Sequence, residues 1–202
     1  GAIYVLRNAT IIAGPNGVGK TTFAKTYLNI RSAEYISADE IALGLNPDDV
    51  KKVRVRAGKL FFQNIKTAVD KGQDLLIEVT LAGLSFQRIL DFLKQAHYII
   101  HIVFIFLESA HLCVNRVRER VMSGGHDVPE EDIVRRFYRS ITNFWQIYKN
   151  MADMWSIYSN AGAHFYEVAV GEKDRVTVSD NSLFELFINN VRGIDNGRKT
   201  QT

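Results

Sequence analysis

Gly14 Pro15 Asn16 Gly17 Val18 Gly19 Lys20 Thr21 reads GxxxxGKT, the spacing of a phosphate-binding loop. A polyphosphate needs many donors converging on one point, and a glycine-rich turn supplies them through bare backbone N–H groups. The flanks have the required order. Ala9–Ala13 is a short apolar run without helical period, and Thr21–Leu28 reads as a helix. In this reading Gly14, Gly17 and Gly19 permit the turn, with Pro15, Asn16 and Val18 completing it. The helix N-terminus from Lys20 to Thr22 adds its positive dipole end. Lys20 reaches the β and γ phosphates, and the Thr21 hydroxyl holds Mg²⁺. A nucleoside triphosphate is the first ligand to expect.

The chain has 202 residues, 47% of them hydrophobic, enough for one domain with a sheet covered on both faces. Its formal net charge is +3 and its isoelectric point about 9.0, with basic residues mixed among acids. That balance argues against nucleic acid as a partner. No secretory leader is read, because Arg7 and Asn8 cut the apolar start, and the longest apolar run, Tyr98–Leu107, is too short to span a bilayer. No membrane partner is expected. The single cysteine, Cys113, suits a reducing compartment and a packing role, so the expected location is cytoplasmic.

Strands and helices alternate along the chain. A second strand is read at Glu34–Ser37, followed by a short turn to Asn46, and then a helix capped by Asn46 and running to Lys71. A third strand, Asp74–Val79, precedes a helix over about 85–95, and Tyr98–Leu107 feeds a helix opened by Ser109 and closed near Gly124. Pro129 opens another that reaches roughly Ala152, and Trp155–Tyr158 reads as a fifth strand. Phe165–Val170 and Val176–Val178 flank a turn at 171–174, and a last helix ends near Arg192. This pattern predicts an α/β fold with a parallel sheet, helices on both faces, and a C-terminal β-hairpin plus helix. One domain is expected over 1–194, with a disordered tail at 195–202.

In such sheets ligands gather at the carboxyl ends of strands. Asp39 follows strand two, where a carboxylate can take the proton of a hydroxyl acceptor; its bland alternative is a helix cap. Glu78 ends an otherwise apolar strand and Thr80 follows it, so both are read as facing the crevice, either recognising substrate or touching magnesium. Arg116, Arg118, Arg120, Arg135, Arg136 and Arg139 flank a glycine hinge at 124–125 and predict a helical lid over about 116–139. Helical spacing pairs Arg116 with Arg120 and Arg135 with Arg139, so not all six can point inward. His126 and Asp127 are read as turn-formers or a lid latch. Phe137, Tyr138, Phe144, Trp145 and Tyr148 recur at helical spacing and are read as packing surface.

GPNGVGKTT, the ADE around Asp39, EVTLAG from Glu78 and GGHDVPEE in the lid together resemble the zeta-toxin-like family of P-loop small-molecule kinases, over most of 11–160. The resemblance implies a P-loop kinase-like fold similar to that of nucleoside monophosphate and shikimate kinases. It implies ATP and Mg²⁺ as cofactors, and transfer of the γ-phosphoryl group to a hydroxyl of a UDP-N-acetylamino sugar. It further implies Asp39 as base, Glu78 and Thr80 as substrate contacts, and Lys20 with Arg120 and Arg136 as charge stabilisers. Ser159 and Asn160 resemble the family's segment near the nucleotide base, and an antitoxin protein is an implied partner. Two alternatives stay open: a kinase of another metabolite or antibiotic, and a nucleotide-binding switch without transferase activity.

Overall fold

The computed structural model describes residues 5–162 and 164–192. The expected tail at 195–202 lies outside these. Seven strands form one sheet in the order β2-β3-β1-β4-β5-β6-β7. The first five, β1 (Arg7–Ala13), β2 (Glu34–Ser37), β3 (Leu75–Val79), β4 (Tyr98–Phe106) and β5 (Met154–Ser159), run parallel. The buried stretches Ile11–Ala13, Leu75–Ile77 and Ile102–Phe106 are apolar because helices cover both faces. The expected hairpin, β6 (Tyr166–Glu172) and β7 (Arg175–Val178), does not stand apart but extends the same sheet antiparallel from β5.

The helices are α1 (Lys20–Ile30), α2 (Ala38–Leu45), α3 (Arg54–Asp70), α4 (Phe86–Gln95), α5 (Ala110–Met122), α6 (Glu130–Gln146) and α7 (Asn181–Asn189). None of the described helices is long and apolar enough to cross a membrane. Ser109 caps α5 by accepting from the Leu112 N–H, and Asp180 caps α7 in the same way from Leu183.

Four boundaries differ from the sequence reading. The segment after β2 is a helix rather than a turn, because the Ser37 hydroxyl accepts from the Glu40 N–H and the Asp39 and Glu40 carboxylates favour the positive end of α2. Asn46 does not cap α3: its side chain accepts from the N–H groups of Asp48 and Asp49 in a turn, and the N-cap of α3 is Val53. A 3-10 turn over Val50–Val53 therefore precedes α3. The helix α6 stops at Gln146, where Ile147 leaves helical geometry and Tyr148 turns inward to donate its hydroxyl to the Gly83 carbonyl at 2.6 Å. Finally, β6 runs through Gly171, which is not a turn residue. Gly171 pairs with Trp155 across the strands, and a Cβ there would lie 2.1 Å from the indole ring.

The aromatic set packs as expected. Phe104 stacks on Phe144 with ring centroids 4.6 Å apart, and Phe187 of α7 meets Phe104, Phe106 and Phe144 edge-on. His101 on β4 is satisfied by the Ser156 hydroxyl at 2.8 Å. Cys113 is wholly buried, which pushes its thiol up to about 12 and fits a packing role.

Because Phe187 ties the last helix to β4, Phe104→Ala and Phe187→Ala should each destabilise the protein by about 3–5 kcal/mol. Both should do so within a single denaturant transition, read by circular dichroism and tryptophan fluorescence. A separate early transition for the 166–189 segment would show that the hairpin and α7 fold on their own.

Candidate active site

The phosphate loop leaves β1 under close confinement. Gly14 has φ +143°, and a Cβ on it would sit 2.1 Å from the Ile105 carbonyl of β4. At Gly17 a Cβ would lie 2.8 Å from the Cys113 carbonyl of α5, and at Gly19 2.6 Å from the Asn160 amide. The turn thus needs glycine for left-handed backbone and for space at once. Gly19 is also the N-cap of α1 and offers no side-chain cap, which leaves the N–H groups at Lys20, Thr21 and Thr22 facing the loop. Val18 and Asn16 are buried within the turn.

Lys20 is 6% exposed and its ammonium donates to the carbonyls of Gly14 and Pro15, both at 2.8 Å. Burial lowers its pKa from the ordinary lysine value, while the charges of Asp39 and Glu78 oppose that shift and Arg120 adds to it. The same charges locate the site. Asp39 in the first turn of α2, just past β2, Glu78 at the end of β3 and Arg120 of α5 all bear on one ammonium group.

Glu78 is 6% exposed, and both of its oxygens are engaged. Oε1 accepts from the Thr21 hydroxyl at 3.0 Å, and Oε2 accepts from the Tyr35 hydroxyl of β2. The crevice orientation expected for Glu78 is therefore present, and it faces the loop helix. Thr80 takes a different part: its hydroxyl accepts from the Ala82 N–H at 3.3 Å and shapes the turn after β3. Since Ser37 caps α2, the Asp39 carboxylate is not used as a cap and stays exposed in the first helical turn.

The six arginines divide sharply, with Arg139 left exposed on α6. Arg136 of α6 donates to the Asn16 side chain of the loop at 3.2 Å, and Arg116 of α5 donates to the Asn160 carbonyl at 3.0 Å. Arg120 bonds the His126 carbonyl at 3.0 Å and lies over Gly125, which closes the hinge between α5 and α6. Arg118 pairs with Glu130 at 2.6 Å, and Arg135 with Asp132 at 2.8 Å, both away from the loop. Among the arginines chosen from sequence, Arg136 reaches the loop directly and Arg120 is bonded to the hinge.

Three further residues were not singled out by sequence. Arg116 was one of six equivalent arginines, Tyr35 carried no motif, and Asn160 was noted only beside a base. In the structure the Asn160 side chain donates to the Val18 carbonyl at 2.9 Å and braces the loop. Next to it a cavity of about 190 Å³ opens between the start of α5 and the end of β5, lined by Leu107, Leu112, Arg116, Asn160 and Gly162. A larger cavity, about 380 Å³, lies along the outer edge of β2 against α2 and α3 and includes none of the loop residues.

Fold order, glycine loop and buried lysine define a P-loop protein of kinase-like architecture. The chain belongs to the AAA domain family, which it matches over residues 10–139. It is 28% identical over 137 residues to an uncharacterized protein of Haemophilus influenzae, a match covering 67% of this chain and 96% of that protein. Among solved structures it is similar to the PezAT chromosomal toxin-antitoxin system of Streptococcus pneumoniae, with a TM-score of 0.64 at 19% identity over 92% of this chain and 80% of the other. It is also similar to the AvrRxo1-ORF1:-ORF2 complex with ATP, with a TM-score of 0.69 at 12% identity over 94% of this chain and 65% of the other. A gluconokinase from Sinorhizobium meliloti matches with a TM-score of 0.53 at 12% identity over 79% and 86% of the two chains. The fold expected from the zeta-toxin-like resemblance is the one observed.

Asn160→Ala removes the donor to a buried carbonyl, so it should lower stability by about 1–3 kcal/mol. Loosening of the loop should weaken ATP binding in a fluorescence titration. Arg118→Ala, which removes an exposed pair, should change stability by less than about 1 kcal/mol.

Proposed function

We propose that this protein is an ATP-dependent phosphotransferase that moves the γ-phosphoryl group to a hydroxyl of a small molecule. The observation that carries the reading is the convergence of Lys20, Thr21, Glu78 and Asp39 at the carboxyl ends of three neighbouring parallel strands. A loop that only held nucleotide would not need a carboxylate at the acceptor side.

In this reading the amides of residues 14–22 and the Lys20 ammonium hold the triphosphate. Asp39 accepts the acceptor's hydroxyl proton as the new oxygen–phosphorus bond forms and the bond from the γ-phosphorus to the bridging oxygen breaks, leaving ADP. Lys20, Arg120 and Arg136 lie against the charge spread over the transferring oxygens. The cavity beside Arg116 and Asn160 would take the base. Thr80 and Glu78 remain the proposed acceptor contacts.

Mg²⁺ suits the donor set. Among the described residues no cluster of three or more His, Cys, Asp or Glu side chains could hold a metal, but Mg²⁺ on a nucleotide commonly takes one or two protein oxygens and fills the rest with phosphate and water. The Thr21 hydroxyl and the adjoining Glu78 carboxylate are such hard oxygens. Bound there, the ion would neutralise charge on the β and γ phosphates.

The first acceptor to test is a UDP-N-acetylamino sugar, and the likeness to the PezAT system supports growth arrest relieved by an antitoxin protein as the biological setting. The likeness to a gluconokinase favours one second reading, a kinase of another metabolite. With γ-labelled ATP and a panel of both acceptor types, transfer to at least one is expected. Asp39→Asn should slow it by about 10²–10⁴-fold, and Lys20→Ala by about 10²–10³-fold or more. Lack of transfer to any acceptor, or an Asp39→Asn variant as active as the parent, would overturn the kinase reading.

A further inference from the structure

Tyr35 stands on the edge strand β2, which pairs only with β3 among the described strands. In that register Tyr35 lies opposite Leu76 and Ser37 opposite Glu78, so Tyr35 and Glu78 project from the same face two residues apart along the sheet. The phenol leans along the strand direction and donates to Oε2, while the first turn of α1 donates to Oε1 through Thr21. A glutamate has three rotatable bonds, and one partner leaves its carboxylate plane free to turn. Two donors from opposite sides, one of them on a rigid aromatic, fix both its position and its plane.

We infer that Tyr35 is a positioning residue: it holds Glu78 so that one carboxylate oxygen stays aimed at the Thr21 hydroxyl, where the divalent cation of the nucleotide complex binds. This rests on the proposed nucleotide site, not on the identity of the acceptor. The phenol is suited to the part. Its O–H donates to Glu78 from a ring carried on a strand, so its reach is set by the backbone of β2. Partners that orient a metal-facing carboxylate commonly matter 10- to 100-fold in metal affinity, by order of magnitude.

The test is binding of Mn²⁺, as a paramagnetic stand-in for Mg²⁺, to the protein with ATP and without acceptor, read by electron paramagnetic resonance. Tyr35→Phe keeps the ring and removes only the donor. It should weaken Mn²⁺ binding about 10-fold, while ATP binding in the presence of a chelator changes less than about twofold. Glu78→Gln should show the same pattern, and the double variant should be no weaker than Glu78→Gln alone, because the two act as one unit. In a Thr21→Val background, adding Tyr35→Phe should cost nothing further. Mn²⁺ affinity within about twofold of the parent in a folded Tyr35→Phe protein, or losses that multiply in the double variant, would overturn the inference. So would an absence of metal-assisted ATP binding in the parent. Since no acceptor is present, a protein that passes this test yet transfers no phosphoryl group defeats the kinase reading and leaves the role of Tyr35 intact.

Discussion

The confinement of the phosphate loop governs everything around it. Residues 14–20 pass within a Cβ's width of the β4 backbone, the α5 backbone and the Asn160 side chain, so each contact is made by a glycine. A loop so enclosed cannot shift without moving β4, α5 or the end of β5. This couples nucleotide-site geometry to the centre of the sheet, where β1 lies between β3 and β4. The wholly buried strand residues of β1 and β4 and the Phe104, Phe144 and Phe187 cluster are therefore part of the same rigid frame.

Within that frame the electrostatics oppose one another by design of position. Burial penalises the charged form of Lys20, and two carboxylates from neighbouring strand ends favour it. Parallel strands make this possible, because their carboxyl ends all emerge on one edge and bring residues 20, 39 and 78 together across wide sequence gaps. The ammonium donates to two loop carbonyls, contacts of the kind a phosphate oxygen can replace. The helices α5 and α6 flank the loop from the other side. Arg136 reaches the loop and Arg116 ties α5 to Asn160 after β5, while Arg118 and Arg135 pair with carboxylates of α6.

Membership of the AAA domain family fits the phosphate loop, and the likeness to the PezAT, AvrRxo1 and gluconokinase structures is one of fold. In this chain Lys51 of the 3-10 turn meets Asp132 of α6 at 3.7 Å, which brings the segment after α2 into contact with α6.

The sequence by itself determined the donor site and the order of elements. GxxxxGKT between an apolar run and a helix has one physical solution, and the turn residues Ser109, Gly124, Pro129 and Asp180 mark helix ends through local hydrogen bonds and backbone limits. The crevice-facing placement of Glu78 was legible because a carboxylate at the end of an apolar strand has few other uses. Only the tertiary structure decided which arginines serve the site, since six cations at similar helical positions differ only in what lies opposite them. It alone revealed Tyr35 and Asn160 as braces, because their partners are 43 and 142 residues away and no local pattern encodes such pairs. It also set the Thr80 hydroxyl on the Ala82 N–H and moved Gly171 from a turn to the Trp155 contact, both outcomes of packing that spacing along the chain does not carry.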